Sequence, residues 1–392
     1  MVKLNSIIEN PISGEWGLED LNKTGLPVLR TTNFTNEGII NYNNIVTRIF
    51  LKENIKEKFL KYGDILLEKS GGSDNQPVGR VVFFDKEDNK YLFNNFVTIL
   101  RIKNKEKYIP KYIFYSLYYN YKNGGTIKFQ NKTTGIHNLQ VKSFINNFQV
   151  KTISTNKQYE IIKILDTIYN LIILKKLQLS KLDQLVKSRF IEMFGDPIRN
   201  EKNWPVVSLG EVAEICIGPF GTLLHKEDYI YGGHAIINPS HILEGKIYPD
   251  KSFTISEKKY IELNSYHLQK GDIVLGRRGE MGRCAVVESS GLICGTGSMI
   301  IRPYKKMKPY FIQNILSSPG YKKAIEDKAV GVTMLNLNVR IVSEIKIPLL
   351  PITMQENFIT LMHKVDEAKL SVKQSLEALE TLKKSLMQEY FG

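Results

Sequence analysis

The chain has 392 residues, 42% of them hydrophobic and 24% charged, enough to bury more than one core and too many for one ordinary domain. Glycine and proline number 28 and 14, which excludes collagen-like and low-complexity architectures. The 54 Lys and Arg against 40 Asp and Glu leave a net charge of +14, a balance that points to a polyanion such as nucleic acid. Cys216, Cys284 and Cys294 form no C-x-x-C pair, which argues against a disulfide framework and against a four-cysteine zinc site. The N-terminal segment has no signal-peptide apolar core, and no stretch approaches the ~18 apolar residues needed to span a bilayer. A cytoplasmic protein with no membrane partner is expected.

Residues 1–155 carry short β-rich runs, Ile65-Leu66-Leu67, Gly79 to Phe84 and Val97 to Ile102, with a helical stretch around Pro110 to Tyr119. Residues 156–194 contain neither proline nor glycine and read as one uninterrupted helix, after which Asp196-Pro197 restarts the chain. Residues 195–353 repeat the mixed pattern, with a helical stretch around Lys308 to Leu316, and residues 354–392 end the chain on a second long helix. The halves are related by direct repetition. Tyr-Gly-Asp-Ile at 62–65 recurs as Lys-Gly-Asp-Ile at 270–273, an offset of 208, and each is followed by a glycine-containing loop and then Gly79-Arg80 or Gly282-Arg283. Asn138-Leu139 recurs as Asn336-Leu337, and Gln158 through Gly195 aligns without a gap to Gln355 through Gly392 at an offset of 197. Self-similarity over so long a period fixes the architecture before any local detail.

The second long helix has a heptad stripe of Phe358, Leu361, Val365, Ala368, Val372, Ser375, Leu379, Leu382 and Leu386. Shifted by 197, it becomes Ile161, Ile164, Ile168, Leu171, Lys175, Gln178, Leu182, Leu185 and Arg189 in the first helix. Two full-length stripes in register predict that the helices pair with each other, although each stripe would also serve to cover its own domain. A pseudo-twofold axis perpendicular to the helices makes the pair antiparallel and sets Lys175, the midpoint of the first stripe, opposite Val372. Charge separates by segment: +8 on residues 1–155, +3 on 156–194, +4 on 195–353 and −1 on 354–392. The mixed modules are expected to bind and the helices to organise them.

Several chemistries are excluded. No G-x-x-x-x-G-K-[ST] string is present to cradle a nucleotide. Gly295-Thr296-Gly297 opens no helix, and Asn238-Pro239-Ser240-His241 lacks the second proline and aromatic residue of an amino-methyltransferase motif. His225, His234 and His241 have spacings of nine and seven that match no zinc template, and the first repeat has no counterparts. Asp64 with Glu68-Lys69 imitates a metal-nuclease core, but the second repeat has Asp272 with Gly276-Arg277 and loses the acid. A solvated strand end is expected there.

What remains is a pair of basic modules whose polar loops recur at matching places, where a rigid scaffold normally carries recognition. Arg30, Thr31, Thr32 and Asn33 correspond to Asn238, Ser240 and His241; Asn and Arg can hold a purine edge, and Ser or Thr suits phosphate or base. The second loop holds Lys69, Ser70, Asn75, Gln76 and Arg80, against Arg277, Arg278 and Arg283. The third holds Lys128, Gln130, Lys132 and Thr134, against Lys328 and Thr333. Each loop alone would also serve as an ordinary solvated turn; the set gains weight from recurring in both repeats.

With Gly-Asp-Ile-Leu/Val-Leu and Asn-Leu-x-Val each present twice, Gly-Arg-aliphatic at Gly79-Arg80-Val81 answered by Gly282-Arg283, and the helix end Phe190-Ile191-Glu192-Met193-Phe194-Gly195-Asp196-Pro197, the whole chain resembles the specificity subunit of type I restriction-modification systems. The resemblance implies an α+β architecture: target-recognition domains at 1–155 and 195–353, separated by long helices at 156–194 and 354–392 that form an antiparallel coiled coil. It also implies a non-catalytic reader of double-stranded DNA that recognises a bipartite asymmetric site. Its partners would be two adenine-methylating modification subunits and the restriction/translocation subunits, with no cofactor of its own and with S-adenosylmethionine and ATP bound by those partners. Competing readings are a stand-alone DNA methyltransferase or nuclease, disfavoured by the missing motifs, and a non-catalytic coiled-coil scaffold, which leaves the matched basic loops unexplained.

Overall fold

The computed structural model describes residues 1–51, 53–133, 136–279, 282–329 and 336–392, without the side chains of residues 53, 54, 132 and 133. The chain divides into two compact units, one of residues 1–177 with 373–392 and the other of residues 178–372.

In the first unit an antiparallel sheet has the order Ile12–Ser13, Val97–Leu100, Ile65–Glu68, Val81–Phe83. Its strands are apolar on both faces because both faces are covered, and the two-residue side-chain period sorts them into two cores. Ile65, Leu67, Val81, Phe83 and Leu100 pack toward Tyr112, Ile113 and Leu117 of the helix Pro110–Lys122. Leu66, Val82, Val97 and Ile99 pack the other way, with Leu29 and Phe93. Those last two residues belong to a second sheet, Leu18–Glu19, Val46–Ile49, Leu26–Leu29, Leu92–Phe93, whose final pair is parallel. A three-stranded sheet joins Gln130–Thr133, Ile136–Leu139 and Ser70–Gly72.

The second unit repeats this logic on its own residues. Its antiparallel sheet runs Ala213–Ile217, Ser298–Pro303, Ile273–Gly276, Cys284–Val286. Ile273, Leu275, Cys284 and Met299 face the helix Pro309–Ser317, while Val274, Ala285 and Ile300 face Ile237 and Cys294. Proline at the first helical position starts both Pro110–Lys122 and Pro309–Ser317, where its missing N–H is no loss and its fixed φ suits the helix. A further helix, Pro319–Lys328, follows the latter.

The repeated Gly-Asp-Ile has a local cause. Gly63 and Gly271 sit at φ +89° and +93°, the left-handed region open to glycine. The next residue, Asp64 or Asp272, accepts a hydrogen bond from the backbone N–H of Lys61 or Gln269 at 2.8 Å. Both carboxylates are also paired bidentately: Asp64 with Arg101 at 2.7 and 2.8 Å, Asp272 with Arg302 at 2.8 Å. Glu68 is likewise buried and paired, with Arg80 at 2.7 and 3.0 Å. The expectation of a solvated strand end is therefore corrected: these acids lie inside the fold, where their arginines neutralise them.

The long helices run Thr155–Phe194 and Ile352–Phe391. Each is tied to its module by a buried glutamine near its start. Gln158 accepts from Ile109 N–H at 2.9 Å and donates to Lys107 O and Ile153 O at 2.9 and 3.1 Å. Gln355 accepts from Lys308 N–H at 2.8 Å and donates to Leu350 O at 2.8 Å and Lys306 O at 3.3 Å. Within the first unit the two helical segments pack antiparallel, with Lys176 on Glu380 at 3.3 Å, Lys383 beside Tyr169, and Met387 in the core of Ile161 and Leu165. Within the second, Lys369 meets Asp183 at 2.6 Å and Phe358 packs on Phe190 and Phe194.

Of the stripe residues, Ile161, Ile168, Val365 and Val372 are buried and Lys175, Leu182, Leu379 and Leu386 half-buried. The alternate stripe positions need correction. Leu171, Leu185 and Leu382 are exposed, with the more buried residue one later at Ile172, Val186 and Lys383; Leu165 is likewise more buried than Ile164, and Arg189, the last position of the first stripe, is exposed beside buried Phe190. No helix among the described residues is long and apolar enough to cross a membrane.

Candidate nucleic-acid interface

In the first unit the three loops meet. The turn Thr31–Asn33 follows the strand Leu26–Leu29. Asn33 is buried and builds this turn: its Oδ1 accepts from Arg30 N–H at 2.9 Å and its Nδ2 donates to Asn41 O at 3.1 Å. Arg80 ties the second loop to the first, donating to Thr31 O at 3.1 Å and Phe34 O at 3.0 Å while its Nε and Nη2 hold Glu68. Burial alone would push this guanidinium's pKa down, but the Glu68 carboxylate more than offsets that and holds it above its ordinary value. Ser70 pairs with Asn138 in the three-stranded sheet, and Gln130 Nε2 donates to Val78 O at 3.4 Å, which brings in the third loop.

The consequence for the expected contacts is a division of labour. Asn33 and Arg80, proposed from sequence as contacts to a ligand, are spent on holding the loops together. Arg30 is half-buried, with one terminal nitrogen donating to Asn44 O at 3.4 Å. Thr32, Asn75 and Lys128 are exposed, and Thr31, Lys69, Ser70, Gln76 and Gln130 are half-buried. The backbone of Lys132 lies in the strand Gln130–Thr133; its side chain and the whole of Thr134 lie outside the described residues.

In the second unit the turn Pro239–His241 follows the strand His234–Ile237. His241 is buried, its Nδ1 accepting from Asn238 N–H at 3.2 Å, so it too shapes a turn instead of reaching outward. Arg283 donates to Pro239 O at 3.2 Å, in the place where Arg80 binds Thr31 O. Arg278 Nε donates to Asn336 Oδ1 at 2.9 Å and its side chain is exposed. Ser240 and Lys328 are exposed, Asn238 and Arg277 half-buried, and Thr333 lies outside the described residues. Sequence reasoning missed Asn336, whose repetition as Asn138-Leu139 and Asn336-Leu337 was visible but whose contact with Arg278 was not. Among the described residues, no three His, Cys, Asp or Glu side chains converge as a metal site would require. His225 is exposed, and His234 bonds Glu257 at 2.6 Å and stacks on Tyr260.

The first unit thus gathers three loops into one polar surface, and the second joins two by Arg283 with Asn336 beside Arg278; the exposed cations there can offer phosphate contacts and the fixed side chains base contacts.

Comparison with known proteins bears on this geometry. The chain covers 48% of its own length, and 46% of that protein's, in a match to a type I restriction enzyme MjaX specificity subunit of Methanocaldococcus jannaschii, with 25% identity over 199 residues. It therefore spans about half the length of that curated relative. The crystal structure of a type I restriction-modification S subunit from M. genitalium superposes with a TM-score of 0.60 at 16% identity, over 100% of this chain and 95% of that one. A chain from a structure on complex assembly and conformational transition of the type I R-M system gives 0.60 at 14% identity, over 100% and 96%. At such identities the likeness is one of fold. The family model described as the type I restriction modification DNA specificity domain matches residues 1–184 and 201–381, once on each repeat, and the chain belongs to that family.

Proposed function

We propose that this protein is the DNA recognition subunit of a type I restriction-modification complex, reading a bipartite asymmetric site and directing partner adenine methyltransferase and restriction subunits to it. The observation that carries this reading is the same arginine tie between two equivalent loops in each of two non-identical units, Arg80 to Thr31 O and Arg283 to Pro239 O, with the surplus charge of +8 and +4 on the segments that hold them. A stand-alone enzyme is not favoured, and a bare scaffold would have no use for two such surfaces. The chain would supply no cofactor chemistry. S-adenosylmethionine and ATP would be bound by the partners, two modification subunits and the restriction/translocation subunits, and the complex would act in the cytoplasm. The long helices would form an antiparallel coiled coil about a pseudo-twofold axis; the 197-residue repeat and the antiparallel packing within each unit support this.

The test is methylation by the full chain together with its modification partner, which would extrude the target adenine from the duplex as base-modifying enzymes must. Modified genomic DNA should carry methyl-adenine at one interrupted, asymmetric motif, and the purified chain alone should neither transfer methyl groups, hydrolyse ATP nor cut DNA. Methyl transfer by the highly purified chain alone would overturn the proposal.

A further inference from the structure

The residue leaving the strand Ile65–Glu68 is Lys69, and the residue leaving the repeat-equivalent strand Ile273–Gly276 is Arg277. Their backbones are fixed in the same way. Lys69 N–H donates to Phe96 O and Lys69 O accepts from Leu139 N–H, both at 2.9 Å; Arg277 N–H donates to Gly297 O at 3.0 Å and Arg277 O accepts from Leu337 N–H at 3.1 Å. Two clamped peptide groups set where each side chain starts.

Each position holds a cation. Among the described residues neither is paired with a carboxylate. Lys69 Nζ donates to the neutral Ser13 Oγ at 2.5 Å, and Arg277 Nε is buried with no partner among the described residues. Three other arginines at these sheets are neutralised: Arg80 by Glu68, Arg101 by Asp64, Arg302 by Asp272. Burial lowers the pKa of both cations, with Lys58 adding to the effect at Lys69 and Arg278 at Arg277. A half-buried, uncompensated cation is a standing cost, and here the same cost recurs at the same place in two sequences that otherwise differ there.

We infer that Arg277 is a base-reading residue for a guanine in the half-site of the second unit, and that Lys69 holds the same reading position in the first. The inference rests on the DNA-reading function proposed above and names a contact within it. A phosphate contact needs only a mobile positive charge, which exposed Lys128 and Lys328 already offer. A clamped arginine with its planar fork partly desolvated suits the paired O6 and N7 acceptors of guanine in the major groove. Arg278, held at Nε by Asn336, keeps its terminal nitrogens for the adjoining phosphate.

The experiment uses the full chain with its modification partner on a DNA library randomised in both half-sites. Arg277→Ala should lower discrimination at one G·C pair of one half-site by about 10- to 100-fold and leave the other half-site unchanged; Lys69→Ala should do the same in the other half. Uniform weakening over all sequences, with the salt slope reduced by about one, would make Arg277 a phosphate contact and overturn the inference, as would no change at all. Should Arg277→Ala fail to fold, Arg277→Met keeps the apolar stem without the hydrogen-bond donors and must still lose discrimination at that position. Absence of any sequence preference in the parent complex would instead sink the proposed function, so the two failures are distinguishable.

Discussion

Glu68 and Gly276 hold the same place in the two repeats, and the difference decides what the neighbouring arginine does. In the first unit Glu68, 1% exposed, holds Arg80, whose remaining hydrogen bonds fix the turn at Thr31 and Phe34. Removing one partner of a buried pair strands the other, a loss of about 3–5 kcal/mol. Glu68→Ala should therefore destabilise the first unit by roughly 3 kcal/mol and loosen its turn, so DNA binding falls although Glu68 touches no ligand. Urea denaturation checks this, and an unchanged midpoint would show that Arg80 finds another partner. This pair also marks where sequence reading stops. Arg80 and Asn33 read in sequence as candidate DNA contacts on polar loops, but a sequence gives one partner of a hydrogen bond and not the other, and both have partners within the fold. Lys69 and Arg277 stand among the same candidates in sequence, and that neither meets a carboxylate among the described residues shows only in the structure.

Helix packing was legible in period and not in phase. In the first helix Ile164 beside Leu165 and Leu171 beside Ile172 are pairs of apolar residues, so a heptad pattern alone does not choose between them. The structure turns Leu165 and Ile172 inward. The same one-residue choice leaves Leu382 exposed and places Lys383 between the rings of Tyr118 and Tyr169, 5.4 and 5.3 Å from their centroids. Burial lowers the Lys383 pKa below the ordinary 10.5, with Lys122 and Lys176 adding to this and Glu37 and Glu380 opposing it. The folded form thus releases its proton before the unfolded form does, so unfolding takes up a proton between the two pKa values and stability rises as pH climbs through the folded value toward 10.5. Lys383→Met keeps the apolar stem without the charge. It should be at least as stable as the parent at pH 7, and the parent's advantage from raising the pH should vanish in the variant. Paired denaturation curves at pH 7 and 10 measure that difference, and parallel behaviour of the two proteins would refute the assignment.

At the scale of the whole chain, the repeat announced two modules in the sequence, yet the compact units do not end where the modules do. Residues 373–392 belong with residues 1–177, because Met387 sits in the core of Ile161 and Leu165 and Phe391 packs on Tyr112 and Tyr119. Sequence could not have drawn that boundary, since it depends on which distant segment covers an apolar surface. It bears directly on the strongest test of modular reading. If each unit reads its own half-site, replacing residues 1–155 by the same region of another family member should change one half of the methylated motif and leave the other intact. The replacement must keep apolar residues where Tyr112 and Tyr119 meet Phe391; otherwise loss of packing, worth about 3–5 kcal/mol for a large aromatic, would unfold the unit and imitate a loss of specificity. A chimaera that keeps them should melt as the parent does and still bind with a steep salt dependence, because phosphate contacts from the basic loops are sequence-independent. Methylome sequencing then separates the outcomes. A new base pattern in one half, with the other half and the interruption preserved, is the expected result, and change in both halves would show that the two reading surfaces are not independent.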